Sequence, residues 1–206
     1  MKIAIGCLAN NGRTLKNVLL QSEQLSNRIY LCNDSTSAAQ GWNGLLAVMR
    51  EDVAVLCHQD IYLPPGWFKT LEKRLSELPD SWMVVGFFGI NEAGEYCGKI
   101  HDRRVPMPMV TKHKLPCKSL SVDGCCMVVK RGFAFAEELE GYDLYDTYAA
   151  LKAREDGGTV WIIDCMPEHY PTRSWDWKPD KVFMKNWNWL KKRFPNDKVI
   201  STCYSD

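Results

Sequence analysis

The sequence predicts a single-domain α/β fold in which a mostly parallel mixed sheet is flanked by helices. Short apolar runs of strand length alternate with segments of about a dozen residues whose apolar positions repeat at helical spacing. This alternation is typical of βαβ crossovers, which place successive strands parallel in one sheet. The chain has 206 residues. That is the length of one generous domain, and it can bury a core without covalent cross-links.

The first half of the chain contains four predicted strands separated by helices. The strands are residues 2–8, 27–32, 53–57 and 82–90. The helices are residues 14–25, 38–50 and 67–77. Thr14 is the expected N-cap of the first helix because a hydroxyl there can accept a hydrogen bond from the first turn. This half supplies the repeated strand–helix pattern on which the fold class rests.

The second half alternates less regularly. Residues 91–120 have no clear period and contain Gly, Pro and many basic residues. This favours a long surface loop or a small hairpin over a second domain. An apolar run (122–129), a helix (146–154), a strand (159–165) and a helix (181–193) follow. We therefore expect a core over residues 1–175 and a Trp- and Lys-rich helical tail over 176–206 that packs on it.

Composition argues against several classes of protein. The 26 Lys and Arg nearly balance the 25 Asp and Glu, which gives a formal net charge of +1. Such a balance is untypical of a nucleic-acid binder or a polybasic membrane protein. No apolar run is long enough for a transmembrane helix, and the first residues resemble a strand more than a signal peptide.

The cysteines favour a reducing cytoplasm. There are nine of them, an odd number for a framework of disulfides. Several lie inside apolar strands, where Cys acts as a small apolar side chain. These are Cys7, Cys32, Cys57 and Cys126.

Polar residues follow the predicted strands at their carboxyl ends. Ligands of parallel α/β sheets bind at this edge. The residues are Asn10, Asn11, Asn33, Asp34, His58, Gln59 and Asp60. Asp60 beside His58 is well placed to hold a divalent cation, Mg²⁺ or Mn²⁺, that bridges two phosphates. The alternative is a turn Asp that caps the next helix.

Two later residues could also carry chemistry. Asp146 stands at the start of a predicted helix, where it either caps the helix or acts as a general base for an acceptor hydroxyl. His169 follows the late strand and is either a metal ligand or a structural histidine.

The order of these motifs resembles that of the GT-A fold of nucleotide-sugar glycosyltransferases. This Rossmann-like fold includes an inverting family 2 group with a streptomycin-biosynthesis-type branch, which the sequence resembles most. The matching stretches are residues 8–11, 32–37, 38–44, 58–60, 122–124, 145–146 and His169. Residues 58–60 look like the His-Gln-Asp variant of the metal motif. The resemblance covers most of residues 1–175, which it implies are the nucleotide-sugar-binding and catalytic core.

The resemblance implies a metal-dependent enzyme that uses Mn²⁺ or Mg²⁺. Its donor is a nucleoside-diphosphate sugar of the UDP type, and the sugar passes with inversion to an acceptor hydroxyl that the motifs leave open. Asp60 and His169 are the implied metal ligands, and Asp146 is the implied base. The residues implied to bind nucleotide or donor sugar are Ala9, Asn10, Asn11, Asp34, Asn43, His58, Gln59, Asp123 and Gly124.

Two departures from the family pattern leave a second function open. His58 stands where the first Asp of the metal motif is usual, and Tyr145 replaces the acidic neighbour of the commoner Glu-Asp pair. A nucleotide-sugar-binding protein of the same fold without catalytic activity is therefore the alternative.

Three further patterns admit other interpretations. Cys97, His101, His113 and Cys117 have a spacing that could form a Cys₂His₂ zinc site in a zinc-stabilised interaction protein. The basic residues of 103–118, Arg104 among them, either engage phosphates or face solvent. The tryptophans of the tail either stack on sugar rings or pack on the core. They are Trp175, Trp177, Trp187 and Trp189.

Overall fold

A computed structural model of the protein describes residues 1–25, 27–171 and 177–204. The strands are β1 (Ile3–Leu8), β2 (Ile29–Cys32), β3 (Val53–His58), β4 (Ile61–Tyr62), β5 (Trp82–Gly86), β6 (Phe88–Asn91), β7 (Tyr96–Asp102), β8 (Met109–Val110), β9 (Cys117–Val122), β10 (Cys126–Lys130), β11 (Thr159–Ile162) and β12 (Glu168–His169). The helices are α1 (Gly12–Asn17), α2 (Ala38–Val48), α3 (Trp67–Ser76), α4 (Tyr145–Glu155) and α5 (Lys181–Arg193). A short 3₁₀ turn, Leu19–Gln21, follows α1.

The described strands form one mixed sheet in the order β2-β1-β3-β10-β5-β11-β9-β6-β7-β12-β4, and β8 pairs with β7. Strands β2, β1 and β3 are parallel, and their register places Leu8 beside both Cys32 and His58. The carboxyl ends of these three strands therefore meet at one edge. The residues that follow them are brought together there, as expected for a parallel α/β sheet.

The parallel part of the sheet is narrower than the sequence indicates. β10 runs antiparallel to both β3 and β5, and β6 forms an antiparallel hairpin with β7. Parallel pairing returns between β5 and β11 and between β7 and β12. The predicted single-domain α/β fold is confirmed, with antiparallel strands joining its parallel parts.

Helices cover both faces of the sheet. On one face, α2, α4 and α5 bury side chains such as Trp42, Tyr148 and Trp187 in a common apolar cluster. On the other, α1 and α3 bury Leu15 and Leu71 in a second cluster. The tail helix α5 thus packs on the sheet through one apolar face. The expected boundary between residues 175 and 176 lies outside the described residues.

Local structure differs from the sequence predictions at three places. Asn11, not Thr14, caps α1, because its side-chain oxygen accepts hydrogen bonds from the backbone of Arg13 and Thr14. The predicted strand 82–90 is interrupted at Phe87, whose carbonyl accepts a hydrogen bond from Lys99. Residues 91–120 contribute β7, β8 and β9, so the small-hairpin interpretation was the better one. Among the described helices, none has the length and apolar character needed to span a bilayer.

Candidate functional site

A cavity of about 430 Å³ opens at the carboxyl edge of β1, β2 and β3. Small-ligand sites commonly have volumes between about 300 and 1,000 Å³. The sequence-predicted residues that line it are Ala9, Asn10, Asn33, His58, Gln59, Asp60 and His169. Of the described residues, those predicted for the site but not lining this cavity are Asn11, Asp34, Asn43, Asp123, Gly124 and Asp146.

Three side chains at the base of the cavity form a metal-ligand cluster. His58, Asp60 and His169 each offer one ligand atom, and these atoms lie within 4.8 Å of one another. Asp60 Oδ1 is 3.5 Å from Nε2 of His169 and 3.9 Å from Nδ1 of His58. The sequence places Asp60 and His169 far apart, and the fold brings them into contact.

Strand pairing explains how the cluster forms. His58 is the last residue of β3, and Asp60 lies in the turn before β4. β12 pairs with β4 so that His169 is opposite Ile61, and Tyr170 donates a backbone hydrogen bond of 2.8 Å to the carbonyl of Asp60. The two short strands therefore hold the imidazole of His169 against the Asp60 carboxylate.

The environment of Asp60 suits a cation. Its Oδ1 atom is buried and accepts no hydrogen bond within the described part of the chain. Burial raises the pKa of Asp60, but contact with His169 and the charges of His58 and His169 outweigh this and leave the pKa below its ordinary value. An ionised, buried oxygen between two imidazoles has the chemistry of a metal ligand, since a cation satisfies all three groups.

A second carboxylate supports His169 from behind. Asp102 Oδ2 faces His169 Nδ1 at 4.0 Å. Arg104 holds this carboxylate, with its Nε donating to Asp102 Oδ1 at 3.0 Å. Burial alone would raise the pKa of Asp102. Its hydrogen bonds with Arg104 lower the pKa by more than burial raises it, so the carboxylate stays ionised. Arg104 also lines the cavity, where it places a positive charge beside the cluster.

Gln59 fastens the loops after β1 and β3 to each other. Its Oε1 accepts hydrogen bonds from the backbone nitrogens of Asn10 and Asn11, at 3.1 and 2.8 Å. Its Nε2 donates to Asn10 Oδ1 at 2.6 Å. Because the Asn11 side chain caps α1, this residue supports the loop, whereas Ala9 and Asn10 face the cavity.

Two predicted nucleotide-binding residues lie elsewhere. Asp34 is exposed outside the cavity lining, and its neighbour Asn33 lines the cavity instead. Asn43 is engaged with the backbone of Phe135, to which it donates at 2.9 Å and from which it accepts at 2.8 Å. This pair of bonds fastens α2 to the segment before α4.

Asp146 occupies the first turn of α4, close to Asp123. Its carboxylate accepts hydrogen bonds from the backbone nitrogens of Gly124 at 2.9 Å and Thr147 at 2.7 Å. Burial, and then the negative charge of Asp123, raise the pKa of Asp146 to about 7. A carboxyl group with such a pKa exchanges its proton near neutral pH, which is what a general base requires.

Several cavity residues were not predicted. Tyr142 and Asp143 line it, and the hydroxyl of Tyr142 lies 3.1 Å from that of Ser35. The sequence predicts Arg104 only as one of the basic residues of 103–118, which either engage phosphates or face solvent. No strong sequence pattern marks these residues as part of a site, because they lie in loops whose position depends on long-range packing.

The alternative patterns have different outcomes. The four residues of the suggested zinc site do not gather: within the described ranges, the ligand group found is His58, Asp60 and His169. His113 instead lies 3.3 Å from the Glu95 carboxylate. The zinc interpretation is therefore wrong in this structure.

The tail tryptophans mostly serve the core. Trp187 is buried and stacks on Phe183, with ring centres 6.2 Å apart, and Trp189 packs near Tyr148. Trp177 packs against Phe183 and also lines the cavity. Trp175 lies outside the described residues.

Comparison with known proteins gives similarity in structure alone. No family model and no curated protein matches the sequence. The chain is similar to the structure of GalNAc-T7 with UDP, GalNAc and Mn²⁺, with a TM-score of 0.66, 12% identity, and 93% of this chain and 48% of that chain covered. It spans about half the length of that neighbour.

Two further solved structures are similar. S. aureus TarS 1–349 in complex with UDP-GlcNAc has a TM-score of 0.61 and 11% identity, over 97% of this chain and 68% of that chain. The mannosyltransferase PcManGT from Pyrobaculum calidifontis, in complex with GDP-Man and Mn²⁺, has a TM-score of 0.58 and 10% identity, over 84% and 58%. At these identities the likeness establishes the fold, and the fold of this chain is GT-A.

Proposed function

We propose that this protein is a metal-dependent glycosyltransferase. It binds a nucleoside-diphosphate sugar, of the UDP type, and transfers the sugar with inversion to an acceptor hydroxyl. The observation that carries the proposal is the His58–Asp60–His169 cluster at the base of a ligand-sized cavity. The GT-A neighbours that were determined with nucleotide sugars or with UDP and Mn²⁺ support it, as does the resemblance to the family 2 branch.

The donor set favours Mn²⁺ over Mg²⁺. Mg²⁺ is bound mainly through oxygen, whereas a site with two imidazole nitrogens and one carboxylate suits a transition-metal ion. When bound, such an ion stabilises the negative charge of a departing diphosphate. Arg104, which lines the same cavity, is positioned to add a second positive charge for the phosphates.

Residues above the metal cluster are proposed to hold the nucleotide. Ala9 and Asn10 face the cavity, and Asn33 takes the position that the sequence assigned to Asp34. Gln59 and Asn11 keep this loop in place through the hydrogen bonds described above. We propose that the base and ribose contact this wall, at the carboxyl ends of β1 and β2.

Asp146 is the proposed general base. Its raised pKa of about 7 allows it to accept a proton from a hydroxyl as that hydroxyl attacks the anomeric carbon, while the diphosphate leaves. Gly124 donates a backbone hydrogen bond to this carboxylate. We propose that Gly124 and its neighbour Asp123 lie beside the donor sugar. Asp143 lines the cavity itself and is the alternative carboxylate for the same role.

One observation favours the binding-only alternative. Asp146 does not line the described cavity, and both of its oxygens accept backbone hydrogen bonds. A protein that binds a nucleotide sugar without transferring it has no need of an accessible carboxylate there.

We also propose a cytoplasmic location, which is supported by buried thiols such as those of Cys7 and Cys57.

Turnover decides between the two functions. UDP- and GDP-sugars are incubated with the protein and Mn²⁺, with water as the universal acceptor, and release of the nucleoside diphosphate is measured. If the protein is an enzyme, the nucleoside diphosphate is released. Asp146→Asn then removes the activity if Asp146 is the base, and Asp143→Asn removes the activity if Asp143 is the base. Binding without release in every case supports the binding-only alternative. Proton NMR of the released sugar reads inversion directly.

A further inference from the structure

The hydroxyl of Tyr145 connects the metal cluster to the start of α4. Its oxygen lies 2.8 Å from Nε2 of His58. The same hydroxyl donates a hydrogen bond of 2.6 Å to the carbonyl oxygen of Gly124. Both contacts are short enough to be full hydrogen bonds.

The number of protons decides how these two bonds are made. A phenol has one proton to donate, and a carbonyl oxygen can only accept. Two oxygens 2.6 Å apart need that proton between them, so the Tyr145 proton goes to Gly124. The bond between Tyr145 and His58 must then take its proton from Nε2 of the imidazole.

A neutral imidazole protonated at Nε2 carries its lone pair on Nδ1. This is the nitrogen that faces Asp60 Oδ1 at 3.9 Å. A metal ligand must be unprotonated at the coordinating atom, so this tautomer presents the correct nitrogen to the cluster. His169 differs, since its Nε2 faces Asp60 and its Nδ1 faces Asp102.

We propose that Tyr145 is a positioning residue that fixes His58 in the Nε2-protonated tautomer and so makes Nδ1 of His58 a ligand of the metal. The inference rests on the metal site proposed above and adds to it. His58 becomes a ligand, where the family resemblance implied a contact with the nucleotide. It also gives a reason for a tyrosine at the position of the usual acidic residue.

Packing keeps the hydroxyl in place. Tyr145 is 5% exposed, and its ring lies 6.0 Å from that of Trp42 and 6.3 Å from that of Phe135. A Cβ atom on Gly124 would lie 2.7 Å from the Tyr145 oxygen, so only glycine leaves room for it. Burial also raises the pKa of the phenol well above its ordinary value, which keeps the donated proton on the oxygen.

Two-bond ¹H–¹⁵N correlation NMR of the metal-free protein reads the tautomer directly. Spectra are recorded at pH 8 on protein with labelled histidine, and His58→Gln assigns the signals. We expect wild-type His58 to be protonated at Nε2 and Tyr145→Phe to populate the Nδ1-protonated form. Tyr148→Phe is the matched control, because it removes a hydroxyl one turn further along α4 and should leave the tautomer unchanged.

Titration with Mn²⁺ alone, followed by the electron paramagnetic resonance of the free ion, measures the consequence. Loss of a residue that orients a metal ligand typically weakens binding by about 10- to 100-fold. We expect a loss in this range for Tyr145→Phe and none for Tyr148→Phe.

Three results would overturn the inference. They are a proton on Nδ1 of His58 in the wild type, an unchanged tautomer in Tyr145→Phe, and wild-type Mn²⁺ affinity in Tyr145→Phe. Failure of the proposed function is distinct: the wild type then binds no Mn²⁺, which removes the ligand role of His58. The NMR experiment still tests the orienting role of Tyr145 in that case.

Discussion

Replacing Asp146 by Asn should change how the stability of the protein depends on pH. The folded protein holds the pKa of Asp146 at about 7, against an ordinary value of 3.8. Between these values the folded state keeps a proton that the unfolded state has released. Stability from this group is therefore fully present below pH 3.8 and is lost as the pH rises through 7.

The size of the effect follows from the shift in pKa. Linkage gives about 1.4 kcal/mol for each pH unit over which the two states differ by one proton. Between pH 5 and pH 8 the wild type should therefore lose about 2.5 kcal/mol relative to Asp146→Asn. The amide of Asn cannot accept from both Gly124 and Thr147, so the variant also has a constant offset of about 1–3 kcal/mol. Because this offset is the same at every pH, the change of the unfolding free energy with pH can still be measured.

Urea unfolding of both proteins at pH 5, 6, 7 and 8 provides the measurement. Other titrating groups cancel in the difference between the two curves. Glu155→Gln, at the other end of α4, is the control: its bond with Arg193 lowers the pKa of Glu155, so its carboxylate is ionised over the whole range. An Asp146→Asn curve parallel to that of the wild type would refute the raised pKa and with it the proposed base.

Two substitutions test the neighbouring parts of the site. Asp60→Ala removes the shared ligand and should weaken Mn²⁺ binding by more than about 100-fold, measured by titration of the free ion, while Asp156→Ala at the exposed end of α4 should not. Gly124→Ala forces a Cβ against the Tyr145 hydroxyl and should destabilise the protein by about 1–3 kcal/mol in urea unfolding while weakening Mn²⁺ binding. In contrast, Gly44→Ala meets no atom within 4 Å in α2 and should stabilise by about 0.5–1 kcal/mol. Equal effects of the two glycine substitutions would contradict the tight packing at Gly124.

The sequence predicts one side of the site well because parallel strands align their carboxyl ends. The register of Leu8 with Cys32 and His58 brings together the polar residues that follow each strand. The position of His169 has a different origin, since it depends on β12 pairing with β4 and β7. Such long-range pairing leaves no local pattern, so from its place after a strand His169 is either a metal ligand or a structural histidine, and the family resemblance favours the ligand.

Other misassignments arise because polar side chains often bind the nearest backbone. Asn11 caps α1 and Asn43 binds Phe135, so neither amide faces the cavity. The individual strands within 91–120 were not predicted, for a different local reason. Gly98 adopts a φ of +113°, and a Cβ there would lie 2.2 Å from the Phe87 carbonyl oxygen, so β7 departs from strict alternation.

Thermal melting against nucleoside diphosphates, with Mn²⁺ or with a chelator, tests most directly whether this cavity binds a nucleotide through a metal. A ligand at about 100 times its Kd adds about 2.7 kcal/mol to stability. For a protein of this size that raises Tm by about 5–11 °C. We expect UDP with Mn²⁺ to give such a shift and the chelator to remove most of it. If no nucleoside diphosphate raises Tm in the presence of Mn²⁺, both the transferase and the nucleotide-sugar-binding function are wrong.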